Sequence, residues 1–185
     1  MGQAASKPIF STADYLAWED EQPERHEFVH GETFAMAGAE DRHVTVTMNL
    51  AFALRQHLSG SPCRTYMSDM RLHVAAAQSY FYPDVLVTCS PLDAASSMVK
   101  QEPKFIAEVL SPSTAAYDRG IKFSHYRSLP SLEEYALIDL DSRTSDVYRK
   151  GADGLWVLHP FALGEAVRLE SVGLEMTAAQ LFADI

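Results

Sequence analysis

The spacing of apolar residues changes along the 185-residue chain, and each change indicates a different kind of secondary structure. Between Asp41 and Leu58 apolar residues recur every three or four positions, which predicts an amphipathic helix. From Cys63 onward the period falls to two, which predicts a hairpin followed by a strand over 80–88. The residues expected on the inner face of the helix are Val44, Met48, Ala51, Leu54 and Leu58.

The two ends of the chain show the same kinds of pattern. Ser11, with Asp14 three residues later, resembles a capping box and predicts a short helix over 11–18. Residues 27–36 predict two extended segments that turn at Gly31. The later elements predicted are a strand over 105–110, a helix over 115–129, a strand over 134–140, a hairpin over 146–158, a strand near 166–169 and a short helix from Thr177. This order indicates an α/β or α+β fold with a mixed β-sheet flanked by helices.

Length and composition fit one globular domain. A chain of this length can bury roughly two thirds of its unfolded surface, so we expect a single domain over 1–185 with its core at about 41–140. Hydrophobic residues make up 47% and charged residues 22%, which argues against extended disorder. No apolar run approaches the ~20 residues of a membrane span. Because Met1–Phe10 also lacks the apolar centre of a secretory signal, a cytoplasmic protein without membrane partners is expected.

The cysteine content agrees with that expectation. Cys63 and Cys89 are the two cysteines of the chain, and their spacing does not make a zinc-binding motif. We interpret both as small buried side chains, which is typical of proteins in a reducing compartment.

The charge of the chain argues against a surface that binds nucleic acid over its whole extent. The formal net charge is −10, whereas phosphate binding depends on clustered lysine and arginine. Acidic residues dominate both ends, but residues 100–150 carry eight acids and eight bases. An anionic substrate is therefore expected to approach this middle third, whose bases include Lys100, Lys104, Arg119, Lys122 and Arg127.

Two carboxylates fall within apolar strands in the middle of the chain. Asp84 follows Pro83 and opens the run 85–87, and Glu108 lies inside the run 105–110. A charge in a buried strand costs several kcal/mol unless a partner neutralises it. If the two strands are neighbours, both carboxylates can meet at one end of the sheet, where such oxygen ligands suit Mg²⁺ better than zinc.

The helix that follows offers a cation for the same place. Strand periodicity puts Glu108 and residue 110 on one face, where a catalytic lysine would be expected, but the chain has leucine there. Asp118, Lys122 and Tyr126 recur every four residues, so a helix presents them on one side. Packed on the sheet, this helix would aim Lys122 at the carboxylates, and its ammonium would orient a water that the metal activates. The alternative is a surface ion pair between Asp118 and Lys122.

These residues resemble the Uma-two family of restriction-endonuclease-like proteins, which belongs to the PD-(D/E)XK nuclease superfamily. The resemblance covers about 11–140, and its specificity lies in the order of several short motifs. The matching residues are Tyr82-Pro83-Asp84-Val85, Glu108-Val109-Leu110-Ser111-Pro112-Ser113-Thr114, Asp118, Lys122, Tyr126 and Glu134-Tyr135, with Glu27, Gly31 and Glu32 in the early hairpin and His43 in the first core helix.

The resemblance implies a restriction-endonuclease-like core, preceded by a helix and hairpin and followed by a C-terminal β-hairpin extension. It also implies hydrolysis of phosphodiester bonds, with DNA as the expected substrate and Mg²⁺ or Mn²⁺ as cofactor. Asp84, Glu108 and the Val109 carbonyl would hold the metal, and Lys122 would replace the lysine absent from position 110. Such nucleases commonly act as dimers, so a homodimer is expected. Auxiliary positions near the site are Glu27, His43, Asp118 and Tyr126.

Two other functions are compatible with the sequence. The same fold without the chemistry would be a nucleic-acid-binding or interaction module, in which Lys122 and the acids form a buried structural network; Leu110 and the net charge favour it. The segment 26–30 also matches the zinc-hydrolase pattern H-E-x-x-H, through His26 and His30. That pattern binds zinc only on a helix, and in a strand the two histidines would lie ~13 Å apart, too far for one ion.

Overall fold

The computed structural model describes residues 11–36 and 38–185. Met1–Phe10, on which the expectation about a secretory signal rests, lies outside the described residues. The helices of the described part are α1 (Thr12–Glu19), α2 (Asp41–His57), α3 (Pro91–Ala95), α4 (Ala115–Tyr117), α5 (Phe123–Tyr126) and α6 (Ala178–Leu181), with a π-helical turn (Asp118–Lys122) joining α4 to α5 and 3₁₀ turns at Ala75–Ala77 and Glu170–Val172.

The strands of this part of the chain divide among three sheets. The main sheet has the order β11-β10-β9-β8-β6-β3, the N-terminal sheet has the order β2-β1-β5-β4-β7, and β12 pairs with β13. The strands are β1 (His26–Val29), β2 (Glu32–Ala35), β3 (Arg64–Met67), β4 (Arg71–Val74), β5 (Ser79–Phe81), β6 (Val85–Thr88), β7 (Val99–Lys100), β8 (Pro103–Leu110), β9 (Glu134–Asp139), β10 (Thr144–Lys150), β11 (Trp156–Phe161), β12 (Val167–Leu169) and β13 (Leu174–Met176). The expected mixed α/β (α+β) fold is confirmed, since β8–β9 and β4–β7 are parallel and the other pairs antiparallel.

The main sheet has an apolar layer on each face. One layer joins α2 to the sheet, because Leu50 and Leu54 pack with alternate strand residues such as Val87 and Ala107. The opposite layer contains the intervening strand residues, including Ile106, with side chains of the helical segment 115–129. This alternation is what a central strand covered on both faces requires.

Two neighbouring strands of the main sheet bring the carboxylates together. β6 and β8 are antiparallel, and Val85 lies opposite Ala107. Asp84 comes immediately before Val85, and Glu108 immediately after Ala107, so the two acids lie side by side where β6 begins. The expectation that these strands are neighbours is confirmed.

The segment 80–88 is not one continuous strand, and 63–74 is not a hairpin. The chain leaves β5 at Tyr82-Pro83 and enters β6 in a different sheet. Pro83 has no N–H to contribute to a ladder, which favours a break at this point. β3 pairs with β6, and β4 pairs with β5, so neither forms the hairpin that the period of two suggested.

Two helices also differ from their predictions. In α2 the expected inner face is partly wrong, because Val44 and Met48 are exposed while Val46 and Leu50 are buried. The predicted helix over 115–129 contains the π turn and ends at Tyr126. Pro130 contributes to this end, since it has no N–H to donate to the Tyr126 carbonyl and disfavours helical geometry at Leu129.

The cysteine interpretation is wrong. Cys63 and Cys89 flank the paired ends of β3 and β6, where Arg64 lies opposite Thr88, and their sulfur atoms form a disulfide. The pattern of two widely separated cysteines gave no sign of this pairing, because it depends on the register of β3 and β6. The inference of a reducing compartment therefore loses its basis.

Within residues 11–36 and 38–185, no helix combines the length and the apolar character that crossing a bilayer requires.

Replacing Leu54 with alanine tests the layer between α2 and the main sheet. Leu54 is fully buried, so Leu54→Ala should lower the free energy of unfolding by about 2–5 kcal/mol, through lost transfer energy and a residual cavity. The measurement is urea unfolding followed by circular dichroism. Leu92→Ala, at an exposed position, is the matched control and should change stability by about 0.5 kcal/mol or less. Equal effects would contradict this packing.

Candidate active site

Asp84 and Glu108 are fixed to each other through the backbone at the start of β6. The Val109 N–H donates to Asp84 Oδ2 at 2.8 Å, and the Asp84 N–H donates to Glu108 Oε2 at 3.2 Å. Asp84 therefore accepts a hydrogen bond from the backbone of β8. Glu108 accepts one from the backbone of the residue that precedes β6. Glu108 is buried, whereas the Asp84 side chain is 17% exposed. The pair thus presents one buried and one accessible carboxylate at the same end of the sheet.

Lys122 reaches this pair from the helical segment. Its Nζ lies 3.1 Å from Glu108 Oε1, 3.0 Å from Glu27 Oε1 and 3.3 Å from Asp118 Oδ1. All of these side chains are buried, so the interaction is not the exposed Asp118–Lys122 ion pair that the helix spacing also allowed. The structure brings together strands β1 and β8 and the helical segment around one ammonium group.

The π turn (Asp118–Lys122) gives the helical segment its local geometry at the site. Single π-helical turns inside α-helices occur frequently at functional sites. The Tyr135 hydroxyl donates to the Asp118 carbonyl at 3.1 Å, and Tyr135 lies on β9 beside β8. The wider turn is therefore bonded to the sheet at the point from which Lys122 extends.

The acids and the lysine strongly affect one another's protonation. Burial alone would lower the pKa of Lys122, but the charges of Glu108, Glu27 and Asp118 outweigh it and hold that pKa well above its usual range. Lys122 is therefore a cation at neutral pH. Burial raises the pKa of Glu108 well above its usual range; Lys122 opposes this shift, and the neighbouring acids, led by Asp84, add to it.

Tyrosines complete the buried wall of the site. The Tyr126 hydroxyl donates to Glu108 Oε1 at 2.9 Å, and burial with the charge of Glu108 raises the pKa of Tyr126 well above its usual range. Burial and the charge of Glu27 likewise raise the pKa of Tyr117, whose ring lies 5.8 Å from Lys122 Nζ. Both hydroxyls therefore stay protonated, and that of Tyr126 acts as a hydrogen-bond donor. Tyr117 was not among the predicted site residues.

His43 joins the site from the first turn of α2. Its Nε2 lies 3.2 Å from Asp84 Oδ2. Burial would lower the pKa of His43, but the hydrogen bond and charge of Asp84, with a further bond to the Val109 backbone, raise it. His43 thus contacts Asp84 and the Val109 backbone, which are two of the predicted metal ligands.

All the predicted site residues lie together in one cluster. Leu110 lies outside this cluster. Leu110 is buried among apolar residues on the face of the sheet that carries Glu108. Lys122 instead provides an ammonium group in contact with Glu108. Lys122, which the sequence suggested in place of a lysine at position 110, therefore lies within reach of the strand carboxylates.

The histidines of the H-E-x-x-H match do not form a zinc site. His26 and Glu27 lie on strand β1, and His30 lies in the turn after it with a φ of 52°. His26 Nδ1 lies 3.1 Å from the buried carboxylate of Glu19, which also accepts hydrogen bonds from the His26 N–H and the Tyr82 hydroxyl. The pattern lacks the helix that would stack its histidines, and His26 instead belongs to a network that anchors the segment before Asp84.

Three bases of the middle third are buried or paired with acids. Lys100 is buried and donates to the carbonyls of Asp93 and Ser96. Lys104 pairs with Glu133, and Arg119 with Asp146. Lys100 is therefore withdrawn from any substrate, whereas the approach of an anionic substrate to residues 100–150 stays a prediction.

The donor set fits a hard divalent cation. Asp84, Glu108, Glu27 and Asp118 could carry four negative charges, against the positive charges of Lys122 and His43, so the cluster has an excess of carboxylate. Oxygen donors with water suit Mg²⁺ or Mn²⁺, and Mg²⁺ commonly takes only one or two protein carboxylates. In the described part of the chain, no group of three or more histidine, cysteine, aspartate or glutamate side chains is placed to hold a metal ion, so a bound ion would need water as well as protein ligands.

Replacing Glu108 tests the charge balance of the cluster without metal. Because the pKa of Glu108 is raised on folding, its stabilising contribution is present at low pH and is lost as pH rises from its ordinary value towards the raised one. In a chelating buffer, wild-type stability should fall with pH by up to about 1.4 kcal/mol per unit more steeply than that of Glu108→Gln. Urea unfolding at several pH values measures this difference. Glu175→Gln, at an exposed position, should keep the wild-type slope, and parallel curves for wild type and Glu108→Gln would be the contrary result.

Comparison with known proteins shows the fold and the family of the chain. A solved structure from Anabaena variabilis, named as a putative nuclease belonging to DUF820, superposes with a TM-score of 0.77 at 16% identity, covering 94% of this chain and 98% of that one, which shows the shared fold. Two uncharacterized proteins of Synechocystis are similar in sequence. One is 36% identical over 179 residues, covering 97% of this chain and 94% of that protein, and the other is 38% identical over 168 residues, covering 90% and 94%. The model of the family described as "Uma2: Putative restriction endonuclease" matches residues 12–179. The chain therefore belongs to the Uma2 family, as its motifs indicated.

Proposed function

We propose that the protein is a metal-dependent endonuclease that hydrolyses phosphodiester bonds of DNA, with Asp84, Glu108 and Lys122 as its catalytic residues. The observation that carries this proposal is the contact of Lys122 Nζ with Glu108, beside Asp84. Two acids and one lysine are the groups that metal-assisted hydrolysis of a phosphodiester needs. Membership of the Uma2 family and the nuclease-like fold support the same reaction class.

Asp84, Glu108 and the Val109 carbonyl are the proposed ligands of Mg²⁺ or Mn²⁺. When bound, the ion would lower the pKa of a water and stabilise the charge that develops on the phosphate. Asp84 is the accessible member of this set, and the Val109 N–H fixes its Oδ2. The buried Glu108 is oriented by the Tyr126 hydroxyl and the Asp84 N–H, so its carboxylate can rotate little.

Lys122 orients the attacking water and stabilises negative charge near the reacting phosphate. Its pKa is held well above the usual range, so it acts as a fixed cation and not as a base. Glu27 and Asp118 hold Nζ in position, since they contact it at 3.0 and 3.3 Å. A preorganised cation in a buried site is worth more than one in water, because it need not reorganise during the reaction.

His43 and the substrate strand share the accessible side of Asp84. The raised pKa of His43 favours its imidazolium form, whose positive charge would attract a non-bridging phosphate oxygen. DNA is the proposed substrate, and a homodimer is the proposed assembly, so that each subunit cuts one strand.

A second candidate function is a nucleic-acid-binding or interaction module without catalysis. The observation that favours it is that the Lys122 ammonium already contacts three carboxylates. These belong to Glu27, Glu108 and Asp118 and form a buried network with it. Such a network can be purely structural. In that case removing Lys122 would cost about 3–5 kcal/mol of stability, because uncompensated carboxylates would stay buried, and no divalent ion would bind.

Plasmid cleavage tests the proposed reaction. Supercoiled plasmid should be nicked with Mg²⁺ or Mn²⁺, and nicking should be lost in Asp84→Asn and Glu108→Gln, which keep the shape of each side chain. Lys122→Met should reduce the rate by about 10²–10³-fold, the usual effect of removing one preorganised donor. Asp153→Asn, at an exposed position in the β10–β11 turn, is the matched control and should cut at the wild-type rate.

Calorimetry separates the two candidates if plasmid remains intact. Titration of Mn²⁺ into wild-type protein should release or absorb heat that Asp84→Asn abolishes. Binding of Mn²⁺ without cleavage of plasmid would support the metal site and reject DNA as the substrate. Absence of both binding and cleavage, with loss of stability in Lys122→Met, would reject the nuclease and support the module.

A further inference from the structure

Helix α2 carries an apolar stripe on the side that does not touch the sheet. Val44, Met48 and Phe52 follow one another at intervals of four residues and are 49%, 54% and 67% exposed. Because each residue of an α-helix advances by about 100°, the three side chains fall within an arc of about 80°. Packing of α2 on the main sheet does not explain them, since that contact uses Val46, Leu50, Ala51 and Leu54.

The ends of this stripe carry opposite charges at equal distances from its centre. Asp41 lies seven residues before Met48 and Arg55 seven residues after it, and both side chains are exposed. Val44 and Phe52 are likewise placed four residues before and after Met48. On a helix, Asp41 and Arg55 project within about 20° of Met48, so they belong to the same face.

We propose that this face of α2 is the contact between two copies of the chain, which pair antiparallel about a two-fold axis at Met48. In that arrangement Asp41 of each copy faces Arg55 of the other, and Val44 faces Phe52. The two Met48 side chains meet on the axis. A two-fold contact must be self-complementary in this way, because the same patch supplies both sides.

The proposed contact leaves the candidate active site open. His43 projects about 140° away from Met48 around the helix, towards Asp84 and away from the stripe. The inference therefore stands whether or not the site cuts DNA.

A second exposed apolar segment, on strand β11, is less suited to pairing. Edge strand β11 exposes Val157 and Leu158, but Pro160 lies in the same strand and has no N–H to offer a second copy. Proline on an edge strand is a common means of preventing sheet-to-sheet association. The helix face has no comparable obstacle and has charges that match those of its own copy.

Cysteine cross-linking tests the position of the axis. The native cysteines form a disulfide, so a single added cysteine can report a contact between copies. Met48→Cys should give a disulfide-linked dimer on mild oxidation, seen on a non-reducing gel. Leu163→Cys is the control, because Leu163 is 69% exposed and lies in the loop after β11. Cross-linking of Leu163→Cys alone, or of both equally, would overturn the proposed axis.

Charge reversal tests the pairing of the two helices. By light scattering after gel filtration, wild-type protein should approach twice the 20.5 kDa of one chain at high concentration. Asp41→Arg and Arg55→Asp should each raise the dimer dissociation constant at least tenfold, because like charges then face each other. Mixing these two single variants should restore a dimer, since each supplies the charges that the other lacks. Circular dichroism verifies that both variants fold. A monomeric wild type, or a mixture no more dimeric than its components, would overturn the proposal.

Discussion

The structure depends on how one buried ammonium group is neutralised. Lys122 could not remain charged in the interior without the carboxylates of Glu27, Glu108 and Asp118 around it. Those acids in turn could not stay ionised there without Lys122. Because the acids outnumber this lysine, the cluster keeps a surplus of negative charge, and Asp84 adds to it at the accessible side. A surplus of carboxylate oxygen, part of it exposed at Asp84, suits the binding of a divalent cation.

Four separate pieces of chain must keep their relative positions for this cluster to exist. β6 and β8 hold Asp84 and Glu108 side by side, β1 contributes Glu27 from the N-terminal sheet, and the π turn contributes Lys122. Two hydrogen bonds join the helical segment to the sheet. The Tyr126 hydroxyl in α5 donates to Glu108 in β8, and the Tyr135 hydroxyl in β9 donates to the Asp118 carbonyl in the π turn. The buried polar groups therefore connect the two larger sheets and the helical segment through directional contacts. The apolar layers pack these elements together without such directional contacts.

The residues of the site could be predicted from the sequence because charges in apolar strands are conspicuous. Glu108 and the i, i+4 spacing of Asp118 and Lys122 indicated both the acids and the cation, and the family resemblance added Glu27 and His43. The division of the strands into two larger sheets could not be predicted, because a period of two does not reveal a strand's partner. The disulfide of Cys63 and Cys89 depends on that same register, and the exposed positions Val44 and Met48 match the spacing of a core face.

We propose that the carboxylates beside Lys122 bind a divalent metal ion. The most direct measurement is the anomalous diffraction of crystals grown with Mn²⁺, which locates the metal without reference to activity. The account predicts a peak in contact with the carboxylates of Asp84 and Glu108 and the Val109 carbonyl, at about 2.0–2.3 Å, with Lys122 still adjacent. Well-ordered crystals with saturating Mn²⁺ and no peak at these ligands would contradict it.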